Sequence, residues 1–109
     1  MVKEVTSSQE FIEAIGNDTT GLTVIDFYTT WCGPCKAMVP YYEDLSKKYP
    51  NVNFFKLNAE SENNVSVTDA CEIDAFPTFC FFKAGKYVTR IKGADPNKLE
   101  AFIIDLTKQ

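Results

Sequence analysis

The stretch WCGPCK, residues 31–36, sets Cys32 and Cys35 two residues apart, beside the only tryptophan, Trp31. A cysteine attacks as the thiolate, so its surroundings decide whether it reacts. The chemistry open to such a pair is thiol–disulfide exchange. One sulfur attacks a disulfide and forms a mixed disulfide; the second attacks that bond and closes a Cys32–Cys35 bridge. Attack within one chain gains from proximity, so the mixed species should be short-lived.

A metal site or a structural bridge would be the other uses of these cysteines. Zinc would need two further ligands. Only Cys71 and Cys80 remain, at a spacing that forms no second C-x-x-C. The chain has no histidine, which removes Cys-His and Ser-His pairs and any imidazole ligand. A general base must then be a carboxylate, a lysine, a tyrosine or water. Asp26 is the leading candidate. It sits inside the apolar run LTVIDFY, where burial is costly for a charge and raises a carboxyl pKa. It could take the proton of Cys35, or it could be a structural acid paired with Lys56.

The elements around these residues follow from periodicity. LTVIDFY (22–28) reads as a strand covered on both faces. Residues 35–49 read as a helix, with Met38, Tyr42, Leu45 and Tyr49 on one stripe and Pro40 inside it as a source of bending. The cysteine pair therefore falls where a strand ends and a helix begins, a place rich in unpaired N–H groups and positive dipole. Cys32 at the tip is expected to be exposed and Cys35 sheltered. Pro34 suits a first helical turn, and Gly33 removes bulk where a substrate approaches. Lys36 opposes the dipole, a cost that a nearby thiolate would offset; the other reading is a solvated surface lysine. Trp31 is expected to be partly exposed.

Elsewhere, residues 2–6 suggest a short strand. Ser7 and Glu10 form a capping-box pattern before a helix with Phe11, Ile12 and Ile15 on its apolar face, ended by Gly16 and Asn17. Residues 52–57 read as a strand and 65–71 as a short helix. Residues 78–82 and 87–92 read as strands joined by a hairpin through KAGK. Asp95 caps a last helix, with Pro96 in its first turn and Leu99, Phe102, Ile103 and Leu106 on one stripe. The order β-α-β-α-β-α-β-β-α implies parallel crossovers, then an antiparallel edge. AFPTF (75–79) places Pro77 at a strand start, and a cis bond before it is one option.

The chain has 109 residues, 45% of them apolar and 24% charged. That length and balance fit a single domain over 1–109. A net charge of -4 with scattered lysines argues against nucleic acid. Neither a signal-peptide core nor a membrane-length apolar run is evident. A cytoplasmic location is therefore expected, where a paired cysteine is more often working than structural.

Taken together, WCGPCK, Asp26-Phe27, Pro40, Phe76-Pro77-Thr78, Gly93-Ala94 and FFKAGK resemble the thioredoxin family over nearly the whole chain. The resemblance implies a three-layer thioredoxin fold, a mixed five-stranded sheet flanked by four helices. It implies a protein disulfide reductase with Cys32 as nucleophile, Cys35 as resolving thiol and Asp26 as acid–base group. Pro77 would be cis. Trp31, Gly33, Pro34, Phe76, Pro77, Gly93 and Ala94 would line a docking surface, with Lys36 and Lys56 in support. No bound cofactor or metal is implied. Electrons would come from NADPH through thioredoxin reductase, and the protein would act as a monomer in electron transport and cell redox homeostasis. Tyr28-Thr29 replaces the usual Trp-Ala, Asn58-Ala59 a commonly acidic stretch, and the loop after it is slightly long. Cys71 resembles an extra cysteine of some animal members, regulatory or dimer-forming, or simply an ordinary helix cysteine. A redox-incidental binding module, an oxidase or isomerase, and a glutaredoxin are the competing functions. Oxidases and isomerases tend to carry histidine between the cysteines, which this chain lacks.

Overall fold

The computed structural model describes residues 1–16 and 21–108. Among the described residues, five strands form one mixed sheet: β1 (Val2–Val5), β2 (Leu22–Tyr28), β3 (Asn53–Asn58), β4 (Thr78–Lys83) and β5 (Lys86–Lys92), in the spatial order β1-β3-β2-β4-β5. The apolar run at 22–28 becomes the central strand, parallel to β3 and antiparallel to β4. Four helices accompany it: α1 (Ser8–Gly16), α2 (Gly33–Lys48), α3 (Val65–Ala70), entered through a 3-10 turn at Glu62–Asn64, and α4 (Pro96–Thr107). The elements agree with the periodicities, shifted by a residue or two at their ends. Asn17, expected to help end α1, lies outside the described residues.

Side chains alternate across a strand, so each face of β2 feeds its own core. Leu22 and Val24 join Met38 and Tyr42 of α2 and Leu99 and Ile103 of α4. Ile25 and Phe27 join Ala14 of α1 and Val67 of α3 on the other side. Asp26 continues the first set, so its carboxyl faces the α2 layer.

Two local expectations need correction. Ile12 is 60% exposed, while Ala14 is buried. At about 100° of turn per residue, the face centred on Phe11, Ala14 and Ile15 leaves Ile12 well to one side. The capping box is also shifted. Ser7 Oγ accepts from the Glu10 N–H, as expected, but the Glu10 carboxylate accepts from the N–H and hydroxyl of Thr6. The hairpin turns at Ala84 and Gly85, with φ of 54° and 78°. This is the left-handed pair that a tight two-residue turn requires.

The Asp95 carboxylate accepts from the Lys98 N–H at 3.1 Å and so caps α4. Replacing Asp95 with Ala is expected to cost about 1 kcal/mol in denaturant unfolding, with no change in redox chemistry. A cost near zero would show that Pro96 alone suffices to start the helix.

Candidate functional site

Cys32 is the N-cap of α2, with extended backbone (φ -89°, ψ 110°), and Pro34 occupies the first turn. Its sulfur folds back over that turn and accepts from the Cys35 N–H at 3.1 Å. Cys32 and Cys35 are joined as a disulfide, with Cα atoms 5.3 Å apart. That separation lies inside the range that a bridge permits. The same orphan N–H that a helix start must satisfy is thus aimed at sulfur. On reduction, that N–H and the helix dipole favour a thiolate at Cys32.

The expected exposure of Cys32 is corrected here. Cys32 is 6% exposed and Cys35 3%. In the bridged state each sulfur covers the other, and the capping geometry turns Cys32 along the helix rather than out to solvent. Trp31 carries the exposure instead, at 69%, and meets Phe76 edge to face with ring centroids 6.4 Å apart.

Asp26 is 6% exposed, and its Oδ1 has no hydrogen-bond partner among the described residues. It borders a cavity of about 250 Å³, together with Thr29, Cys35, Lys36, Val39 and Lys56. The helix that carries Cys35 packs on the face to which Asp26 points, which is why acid and thiol share this space. Burial disfavours the charged form. It pushes the Asp26 carboxyl up to about 7, against a downward pull from Lys56 and with a further upward push from Glu4. The alternative reading, an Asp26–Lys56 pair, does not match the geometry. The Lys56 ammonium pairs with Glu4, at 3.8 Å.

On the other side of Trp31, whose ring meets Phe76, lies the segment before β4. The Phe76–Pro77 bond is cis, and the Pro77 carbonyl accepts from the Gly93 N–H at 2.8 Å. Gly93 has φ of 104°. Such a value favours glycine, so the loop with Ala94 is tied to Pro77 by a conformation few other residues adopt. β4 begins at Thr78, which leaves the Phe76 main chain beyond the end of the strand ladder. Gly33 is different. A Cβ added there would meet nothing within 4 Å, so the fold itself does not demand glycine.

Sequence reasoning missed the contacts that Glu60 and Tyr28 make near the site. The Glu60 carboxylate accepts from the Thr30 N–H at 2.6 Å and its hydroxyl at 2.8 Å, bonds that hold Glu60 below the usual carboxylate range and secure the β2–α2 turn. The departure at Asn58 shares in this, since Asn58 Oδ1 accepts from the Glu60 N–H. Tyr28 donates to Glu4, and Thr29 is buried with its hydroxyl unpartnered among the described residues. The unusual Tyr28-Thr29 was a signal that something changes here, but its partner on β1 was not readable.

Cys80 is buried, with its thiol pushed up to about 12 by burial, and the half-buried Cys71 thiol is also pushed up by burial. Neither has the lowered pKa of a reactive thiol. Among the described residues, no group of three or more Cys, Asp or Glu side chains is arranged to hold a metal ion, and no helix is long and apolar enough to cross a membrane.

Comparison with known proteins agrees with this geometry. The Thioredoxin family model matches residues 2–105. A thioredoxin-like protein of Acanthamoeba polyphaga mimivirus is 51% identical over 104 residues, spanning 95% of this chain and 76% of that protein. Ovis aries thioredoxin is 42% identical over 106 residues, spanning 97% and 99%. Among solved structures, Trypanosoma brucei brucei thioredoxin superimposes with a TM-score of 0.90 at 31% identity, covering 100% of this chain and 93% of that one. Malassezia sympodialis thioredoxin gives 0.88 at 36% identity, covering 98% and 91%.

Proposed function

Because the chain belongs to the thioredoxin family and is a protein disulfide reductase working by dithiol–disulfide exchange, we propose that Cys32 attacks, Cys35 resolves and Asp26 takes the proton from Cys35 as it does so. The observation that carries this division of labour is the cavity shared by Asp26 and Cys35.

The Cys32 thiolate attacks one sulfur of a substrate disulfide. A Cys32–substrate bond forms, and the other substrate sulfur leaves as a thiolate. Cys35 then gives its proton to Asp26 and attacks the Cys32 sulfur. The Cys32–Cys35 bridge closes, and the second substrate sulfur departs; the substrate has gained two electrons and the protein has lost them. The cavity of about 250 Å³ has room for water, so this transfer needs no direct contact between Asp26 and Cys35. A carboxyl poised at about 7 is suited to accept and return a proton near neutral pH.

Trp31, Gly33, Pro34, Phe76, Pro77, Gly93 and Ala94 form the surface on which an extended substrate segment docks, with the free Phe76 main chain pairing to it. Lys36 and Lys56 border the cavity in supporting roles. Both cysteines and Asp26 come from one chain, which supports action as a monomer. The unbridged Cys71 and Cys80 fit a reducing, cytoplasmic setting and a part in electron transport and redox homeostasis. Electrons return from NADPH through a thioredoxin reductase.

Insulin disulfide reduction tests this route. Turnover is expected with NADPH and a thioredoxin reductase. Turnover with glutathione instead, and none with the reductase, would replace this reading with a glutaredoxin-like one.

A further inference from the structure

We propose that Glu4, on the edge strand β1, is a positioning residue that governs protonation of Asp26 by holding the Lys56 ammonium away from an ion pair with it. The inference rests on the reading of Asp26 as proton carrier and adds a group outside the cavity that sets its working range.

The strand register carries it. Glu4 of β1 pairs with Lys56 of β3, and Lys56 pairs with Asp26 of β2. Neighbours in register share a sheet face, so acid, base and acid stand in one row across three strands. The row continues through Phe79 of β4 and Ile91 of β5, both in the core on the α2 side. The Lys56 ammonium lies 3.8 Å from the Glu4 carboxylate, and no such contact joins it to Asp26.

Glu4 is itself held. Tyr28, two residues beyond Asp26 and so on the same face, donates its hydroxyl to the Glu4 carboxylate oxygens at 2.9 and 3.1 Å. The Lys56 ammonium stands 6.0 Å from the centre of the Tyr28 ring. Burial and the Glu4 bond push the Tyr28 hydroxyl up, so it stays a donor. Tyr28 and Lys56 both line the cavity that reaches Asp26 and Cys35. The row is therefore wired to the site, although Glu4 touches neither cysteine nor substrate.

An ammonium beside a carboxyl favours its ionised form, and a second carboxylate opposes that. The other groups facing Asp26 are Cys35, Lys36 and Tyr42 of α2 and Tyr28 of its own strand. The Tyr42 hydroxyl donates to the carbonyls of Val24 and Phe55 and stays neutral. Without the Glu4 charge, Lys56 acts on Asp26 unopposed, and the acid ionises at lower pH.

Glu4→Gln keeps the shape and a carbonyl to accept from Tyr28. The test follows the Asp26 carboxyl by carbon-13 NMR titration of the oxidised protein and the pH profile of insulin reduction. The protonated fraction of Asp26 at pH 7 is expected to fall about threefold or more, with the profile moving to lower pH. Lys56→Met alone should move the titration the opposite way, and in that background the effect of Glu4→Gln should shrink to less than half. Superimposable Asp26 titrations for wild type and Glu4→Gln would overturn the inference, as would an undiminished effect without Lys56. Asp26→Asn separates the two readings. A pH profile that it leaves unchanged would sink the proton-carrier role, whereas an Asp26 titration unmoved by Glu4→Gln sinks this inference alone.

Discussion

Cys35→Ser is expected to halt turnover and to leave substrate covalently attached at Cys32. The serine hydroxyl cannot attack sulfur, so the mixed disulfide loses its internal exit. Well-oriented intramolecular attack is equivalent to an external reagent far above any attainable concentration, so release should slow on the order of 10³-fold or more. Cys32→Ser should be equally inactive but trap nothing, because Cys35 lies inside α2 and lacks the N-cap position that favours a thiolate at Cys32. Mass spectrometry after incubation with a disulfide peptide reads the outcome directly. Adducts on Cys35 in the Cys32→Ser variant, and none in the converse, would reverse the assigned roles.

The second large effect is on stability and comes from Asp26. Its carboxyl titrates at about 7 in the folded chain against 3.8 as the ordinary value. Below the lower value the acid is protonated whether folded or not, and stability from this group is complete. As pH rises from about 4 to 7, the unfolded chain releases the proton and the folded chain keeps it, so stability falls; above about 7 both forms are ionised and the deficit is constant. A separation of roughly three pH units corresponds to a loss on the order of 4 kcal/mol. Asp26→Asn cannot lose that proton. Denaturant unfolding of the oxidised proteins should show the variant gaining on wild type across this window, with the difference constant at higher pH. A difference that does not change between pH 4 and pH 8 would mean that Asp26 titrates normally and that burial costs it nothing.

Both effects concern residues that were legible from local pattern. WCGPCK at a strand-to-helix junction needs only the periodicity on either side to be placed. Asp26 stands out because a charge inside LTVIDFY has few physical excuses. The α4 stripe from Leu99 to Leu106 and the Asp95 cap were legible for the same reason, since their signals lie within a few residues of each other. The cis bond at Pro77 was only an option in the sequence, and family resemblance made it an expectation. What escaped was set by contacts between distant segments. Glu4 meets Lys56 only because β1 lies beside β3, and Glu60 meets Thr30 only because a loop folds back beside the turn. The burial of Cys32 escaped for another reason: the sulfur bends back along the helix to serve as its cap, which spacing does not reveal.

The strand β1 has four residues and, among the described residues, pairs on one side only, with β3. Short edges of this kind are the first part of a sheet to loosen. Glu4 stands on that edge, so loosening of β1 would carry its carboxylate away from Lys56. Substitutions that weaken β1 would then change acid–base behaviour at a centre the strand never touches.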